Sequence, residues 1–181
     1  MHYKHTTAAI IISLAAASEC FAVQYLTVDE ALKLSFPAMT SAENTDVLFS
    51  DEQKKKIEEE LPDKLYINGQ QIRKVFEQDH LLGFLFIDRV VGKHLLIDYS
   101  IALSPEGKVL RIEVLDYRES YGSEIRSRDW LSQFEGKDSK SSLEFNRDIT
   151  NIGGATLSSR HVTDGVARVL QTFKILYEPA T

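Results

Sequence analysis

The sequence predicts an α+β domain in which an antiparallel sheet is flanked by helices. Residues 82–91, 95–103 and 109–117 are short apolar and β-branched stretches, which are typical of strands. Only Gly92-Lys93 and residues 105–108 separate them, and connections this short join antiparallel neighbours. Helical patterns precede and follow this block without alternating with it, which favours an α+β class over an α/β class.

Residues 1–22 have the layout of a secretory signal peptide, with a basic start, the apolar run 8–17 and small residues ending at Ala22. The apolar run is shorter than the roughly 20 residues that a membrane span needs. Glu19 disrupts the small-residue pattern that lipid attachment at Cys20 requires. We therefore expect cleavage after Ala22 and a periplasmic protein, with an uncleaved inner-membrane anchor facing the periplasm as the alternative.

The remainder, residues 23–181, is predicted to be one domain. The full sequence is 43% hydrophobic, which is ordinary for a globular protein, and its formal net charge is −6. With no basic cluster, a nucleic-acid partner is not expected. His80, His94 and His161 are isolated in the sequence, so no metal site is predicted.

Two helices are expected before the strands. The first begins at Thr27, where Glu30 completes a capping box. Residues 39–46 are predicted to be a loop. The second helix starts at Ser50, with an acidic capping-box partner, and ends at Pro62.

The last helix is predicted to begin near Thr156, because apolar residues recur there at helical spacing: Val162, Val166, Val169, Leu170 and Phe173. Gly153 and Gly154 lack Cβ atoms, so the preceding backbone can take positive φ and an anion can approach its N–H groups. The unpaired N–H groups and partial positive charge of a helix start form an anion site. A plain helix cap at Thr156 is the commoner explanation of such a string.

Three stretches in order resemble the FMN-binding domain family. They are Tyr117–Gly122, Trp130–Lys137 and Gly154–Ser159. The family includes the flavin-bearing small subunits of the Na+-pumping NADH:quinone reductase and of Rnf complexes, and stand-alone periplasmic flavoproteins. The chain departs from the family's usual string at Thr150, where Asp is expected, and at Gly153, where Ser or Thr is expected; Asp148 lies nearby.

The resemblance implies that residues 23–181 form an FMN-binding domain with FMN on Thr156 through a phosphoester, installed by a flavin transferase. It implies further cofactor contacts from the same segment and from the region after the third strand: Gly153, Gly154, Ala155, Leu157, Ser158, Glu119 and Tyr121. Glu119 is expected to order a loop over the isoalloxazine or to bond it. Trp130 is expected in the core.

The predicted function is electron transfer by FMN, with no residue assigned to catalysis and no substrate of the protein's own. The expected redox partner is a cytochrome or a membrane complex linked to quinone or NADH. One alternative is a non-redox binding module that keeps the fold without flavin. Another alternative is a flavin-dependent reductase of a small substrate.

Overall fold

The computed structural model describes residues 23–59, 68–119 and 121–178. They form the predicted α+β fold, in which seven strands make one antiparallel sheet in the order β1-β7-β6-β5-β4-β2, with β3 paired to β4. The strands are β1 Val23–Gln24, β2 Ser41–Asn44, β3 Val47–Leu48, β4 Gly69–Glu77, β5 His80–Val91, β6 Leu96–Leu103 and β7 Val109–Tyr117. The three strands predicted from the sequence are confirmed as β5, β6 and β7.

The helices are α1 Val28–Ser35, α2 Asp51–Glu59, α3 Arg128–Leu131 and α4 Thr156–Tyr177, with short 3-10 turns at Ser123–Arg126 and Ser132–Phe134. The Thr27–Glu30 capping box of α1 is present as predicted. At α2 the capping partner of Ser50 is Gln53 instead of an acidic residue, with bonds of 2.9 and 3.2 Å. The predicted end of α2 at Pro62 lies outside the described residues.

Four strands were not predicted from the sequence, and the two longer ones are β2 and β4. Residues 39–46 were predicted to be a loop, but they contain β2, which pairs with β4 at the sheet edge. All four β2 side chains are exposed, so no apolar alternation marks the strand. In β4 the buried apolar residues are Ile72 and Val75 among polar neighbours, and its strand character comes from pairing with β5. Tertiary pairing decides both segments.

The main core lies between the sheet and α4. One face of α4 buries Val162, Val166, Val169, Leu170 and Phe173, as the sequence predicts. Phe173 packs edge-on against Phe84 of β5, with ring centroids 5.3 Å apart. A smaller cluster on the other sheet face joins α1 to the strands. Because α4 is packed along the sheet, its first turn is fixed at the end of β5 and β7.

A buried ionic group ties α4 to the sheet. Asp88 Oδ2 accepts from the Tyr99 hydroxyl and from Arg168, both at 2.5 Å. Gly165 leaves room for Tyr99, since a Cβ there would lie 2.0 Å from the Tyr99 oxygen. Burial raises the pKa of Tyr99 well above its ordinary value, so the hydroxyl stays protonated and donates.

Within the described residues, none of the helices is long and apolar enough to cross a membrane.

Candidate functional site

A cleft of about 470 Å³ lies where the first turn of α4, the β5–β6 turn and the segment after β7 meet. Seven of the eight residues predicted to bind the cofactor line it: Glu119, Tyr121, Gly154, Ala155, Thr156, Leu157 and Ser158. The eighth, Gly153, is exposed on the adjoining turn and is not part of the lining. Residues that are more than thirty positions apart in the sequence are therefore brought to one place.

The start of α4 is uncapped. Ala155 occupies the N-cap position and makes no side-chain bond to the first turn, so Thr156 is the first helical residue and not the cap. Gly154 has φ +81°, a left-handed conformation that favours glycine. The Thr156 side chain is exposed in the cleft. Free first-turn N–H donors and an exposed hydroxyl thus lie side by side, which suits an anion.

Asn151 holds this turn and was not predicted. Its Nδ2 donates to Thr156 Oγ1 at 3.3 Å, and its Oδ1 accepts from Ser159 Oγ at 3.2 Å. Ser159 also donates to the Ala155 carbonyl at 3.0 Å, which is the backbone role expected for a first-turn serine. The Asn151 amide therefore sets the position of the Thr156 hydroxyl.

Ser158 lies at the inner side of the cleft and is 2% exposed. Its hydroxyl bonds Tyr117, whose own hydroxyl donates to the Tyr121 carbonyl at 2.5 Å. Burial raises the pKa of Tyr117, and the bond with Ser158 opposes that rise. Ser158 is therefore largely occupied by the protein and is a poorer anion contact than Thr156.

Glu119 binds the β5–β6 turn. Its Oε1 accepts from the backbone N–H of His94 at 2.5 Å and of Leu95 at 2.9 Å. Burial raises the pKa of Glu119, but the hydrogen bonds from His94 and Leu95 outweigh it, and the pKa is lowered. The carboxylate is thus ionised at neutral pH, and the backbone of the turn holds it in place. Glu119 therefore holds the β5–β6 turn at the cleft, and its role toward the isoalloxazine stays a prediction.

Tyr121 and Trp130 have different positions. Tyr121 is 83% exposed at the cleft, whereas Trp130 is 5% exposed and donates its indole N–H to the Thr150 carbonyl at 2.7 Å. The core position predicted for Trp130 is confirmed. Between them, Gly122 has φ +85°, and a Cβ at this position would lie 2.3 Å from the Ala155 Cβ. The segment after β7 therefore packs directly on the residue that precedes α4.

Lys93 and His94 also line the cleft, and neither was predicted. They lie on the turn that Gly92 opens, where a Cβ would be 2.8 Å from Glu119 Oε1 and 3.1 Å from Ser158 Oγ. The sequence marks a turn there but carries no sign of what faces it. The Lys93 ammonium brings a positive charge to a wall whose one carboxylate, Glu119, is already bonded to backbone.

The two departures from the family string lie beside the cleft. Thr150 is held through its backbone, since its N–H donates to Gln133 Oε1 at 2.9 Å and its carbonyl accepts from Trp130. The Asp148 carboxylate accepts from Ser142 Oγ at 2.5 Å and from Arg147. The hydrogen bond to Arg147 holds the pKa of Asp148 far below its usual range. Asp148 is therefore committed to its own loop.

One family model matches 80 of the 181 residues. Residues 92–171 match the FMN-binding domain family. The resemblance predicted from the sequence is confirmed. Glu119, Tyr121 and the start of α4 all lie inside this segment, so the cleft belongs to the part of the chain that matches.

A solved structure agrees on the fold. The chain is similar to the crystal structure of Shewanella oneidensis NqrC, with a TM-score of 0.56, 18% sequence identity, and coverage of 86% of this chain and 89% of that one. No curated protein sequence matches the chain significantly.

Proposed function

We propose that this chain is a flavoprotein that carries FMN in the cleft for electron transfer, with FMN attached to Thr156 through a phosphoester. One observation carries the proposal. The Thr156 hydroxyl is exposed at the uncapped start of a 22-residue helix, inside a cleft of a segment that matches the FMN-binding domain family. A phosphoester needs an accessible hydroxyl that is held still and surrounded by donors, and this position has each of these properties.

The phosphate would be held by the first-turn N–H groups of α4. A helix start contributes roughly 0.3–1 kcal/mol per negative charge at an exposed site. Asn151 Nδ2, 3.3 Å from Thr156 Oγ1, fixes the rotamer of the hydroxyl that becomes the ester oxygen. Gly154 keeps the approach open, because nothing lies within 4 Å of the place where a Cβ would stand.

Attachment is a phosphoryl transfer from FAD, catalysed by a separate flavin transferase. The Thr156 oxygen bonds the phosphorus of the FMN half, the pyrophosphate bond of FAD breaks, AMP leaves, and the hydroxyl proton is released. Once bound, the flavin supplies reversible electron transfer, while the protein fixes its position and its surroundings. Covalent attachment would keep the cofactor on a carrier that works outside the cytoplasm.

The proposed location is the periplasm, after removal of residues 1–22. Strand β1 begins at the next residue and pairs with β7 through Val23 and Tyr117. A mature chain starting at Val23 would therefore keep every described strand. The partner is a redox protein, either a cytochrome or a membrane complex linked to quinone or NADH.

The decisive experiment replaces Thr156 by Val and produces the secreted protein together with a flavin transferase. The variant keeps β-branching and loses the bond from Asn151, at a cost of about 0.5–1.5 kcal/mol. We expect it to fold by circular dichroism and to show no flavin fluorescence on a denaturing gel, where wild type fluoresces. Thr150→Val, an exposed threonine of the same segment, is the matched control and should still fluoresce. Intact mass of the wild type reports both the attached FMN and the first residue.

Other outcomes reject specific parts of the proposal. If Thr156→Val still fluoresces on the denaturing gel, the flavin is attached to another residue. Ser158 and Ser159 would then be tested next. A yellow native protein that is dark on the denaturing gel would mean that FMN is held without a covalent bond. A colourless protein from its native compartment would favour a non-redox binding module, as the Thr150 and Gly153 departures suggest. Saturable turnover of a soluble acceptor would favour a flavin-dependent reductase.

A further inference from the structure

The β5–β6 turn is tied to α4 by a histidine outside the cleft lining. His161 Nδ1 lies 2.6 Å from the carbonyl oxygen of Val91. Val91 is the last residue of β5, and His161 lies in the second turn of α4. A carbonyl only accepts, so Nδ1 carries the hydrogen and donates it, as it can in both the neutral and the charged imidazole. The bond therefore fixes the end of β5 against the helix.

The same turn is held on its other side by Glu119, which lies in the segment after β7. Gly92 N–H donates to the Leu95 carbonyl at 2.7 Å and closes the turn, while Glu119 accepts from His94 and Leu95. His161 thus holds the residue before the turn, and Glu119 holds the residues at its end. The space between the two anchors is narrow, because a Cβ on Gly92 would meet both Glu119 and Ser158.

We infer that His161 is a positioning residue that, together with Glu119, sets where the β5–β6 turn presents Lys93 and His94 to the bound flavin. The inference rests on the proposed function, since it assigns the wall opposite Thr156 to the same cofactor. Lys93 and His94 line the cleft with Thr156, and the Glu119 carboxylate accepts hydrogen bonds from the backbone of the turn. The Lys93 ammonium on this turn can therefore attract an anionic ligand, the phosphate or the reduced isoalloxazine.

A positioning role for His161 and a purely stabilising role predict different consequences when its hydrogen bond is lost. Losing the bond from His161 frees Val91 and lets the turn shift while the α4 core remains packed. The distance between the Lys93 ammonium and the flavin then increases or becomes variable. A weaker positive field disfavours the anionic reduced flavin, so the midpoint potential falls.

The test compares His161→Phe, which keeps a ring and loses the donor, with His161→Asn, whose Nδ2 can take the place of Nδ1. Thr163→Val is the matched control, because it removes one hydrogen bond of 2.8 Å in the same helical turn, to the Ser159 carbonyl of α4 itself. The first readout is amide exchange at Gly92 and Leu95 in protein free of flavin. We expect exchange there to rise about 2- to 10-fold in His161→Phe, as the loss of one hydrogen bond implies, and to stay near wild type in the other two variants.

The second readout is the binding of free FMN to protein made without a transferase, together with its midpoint potential. His161→Phe should bind FMN more weakly and shift the potential downward, His161→Asn should restore both, and Thr163→Val should change only the melting temperature. Unchanged amide exchange in His161→Phe, or faster exchange with unchanged FMN affinity and potential, overturns the inference. If wild type carries no flavin even when it is produced with a transferase, the proposed function fails, and the exchange data in flavin-free protein still decide whether His161 positions the turn.

Discussion

Two hollows lie at the same end of the sheet, and the larger of them is not the one that suits a cofactor. The second hollow, of about 510 Å³, lies on the sheet face that α1 partly covers, and the cleft has about 470 Å³. The second hollow has two arginines and three aspartates in its lining: Arg89, Arg118, Asp88, Asp98 and Asp116. Of these, Asp88 is the carboxylate that accepts from Tyr99 and Arg168. Charge density and size alone would select it over the cleft.

The difference lies in what the charged groups bind. In the second hollow Arg89 forms a two-point contact with Asp98, and Arg118 bonds Asp116 at 2.5 Å and lies 3.5 Å from Asp98. Asp98 and Asp116 are direct cross-strand partners, so the arginines also cancel a repulsion within the sheet. Each of these four charged groups therefore has an oppositely charged partner within the hollow. In the cleft, the carboxylate of Glu119 is bonded to backbone, and the helix start and Lys93 remain to meet an anion.

The largest loss of stability is expected from a substitution that overpacks the contact between Gly122 and Ala155, beneath the cleft. Gly122→Ala adds a Cβ 2.3 Å from that of Ala155, at φ +85°. Overpacking costs about 1–3 kcal/mol, and a left-handed non-glycine residue adds roughly 1–2 kcal/mol. We expect the free energy of unfolding in urea to fall by about 2–5 kcal/mol from these two terms, and the flavin to be lost as Ala155 is displaced.

Gly136→Ala separates the two causes. Gly136 has φ +76° and nothing within 4 Å of the added Cβ, so only the conformational cost of roughly 1–2 kcal/mol applies. It should keep its flavin. Equal losses of stability in the two variants would show that Gly122 does not pack against the start of α4 as described.

The strands and the motif could be predicted because their signals are local. β5, β6 and β7 are short apolar and β-branched stretches bounded by turn residues, and the start of α4 follows from the spacing of Val162, Val166 and Val169. The β4 strand was missed because its polar sequence becomes a strand only through pairing with β5. The local sequence pattern predicts a helix or strand that buries its own apolar face. It does not predict a strand such as β4, whose stability comes from pairing with a neighbouring strand.

The site residues that were not predicted from the sequence were missed for the same reason. Lys93 and His94 acquire a role only because Glu119, 25 residues after His94, holds their turn at the cleft. Asn151 lies in a loop, and its role in the site comes from the 3.3 Å hydrogen bond between its Nδ2 and Thr156 Oγ1. None of these contacts has a fixed sequence spacing, so residue type alone carries no signal for them.

A smaller effect is expected in the second hollow. Asp116→Asn weakens the bond to Arg118, a charge-assisted bond worth about 1.5–3 kcal/mol, but it also removes the repulsion from Asp98. We expect a net loss of about 1 kcal/mol in the free energy of unfolding, measured in urea, with flavin content, spectrum and potential unchanged. A change in the flavin spectrum would show that the two hollows are coupled through the end of β7, where Arg118 precedes Glu119.

The smallest effect, and the sharpest, concerns Glu119 itself. Glu119→Gln keeps one acceptor oxygen for the turn and removes the charge, so the flavin should stay bound while its midpoint potential rises, because a carboxylate near the ring disfavours the anionic reduced form.

The pKa of Glu119 is lowered from its ordinary 4.5 by the bonds from the turn, against the effect of burial. A lowered folded-state pKa means that the ionised carboxylate stabilises the fold above about pH 4.5 and that this contribution is lost as the pH falls through the folded-state pKa. We therefore expect flavin-free wild type to be more stable than Glu119→Gln in urea at pH 7, and the difference to shrink below pH 4.5. Glu58→Gln, on the exposed side of α2, reports the general effect of removing one carboxylate. A difference that grows in wild type's favour on acidification would mean that burial controls this carboxyl, and that the β5–β6 turn is not what Glu119 holds.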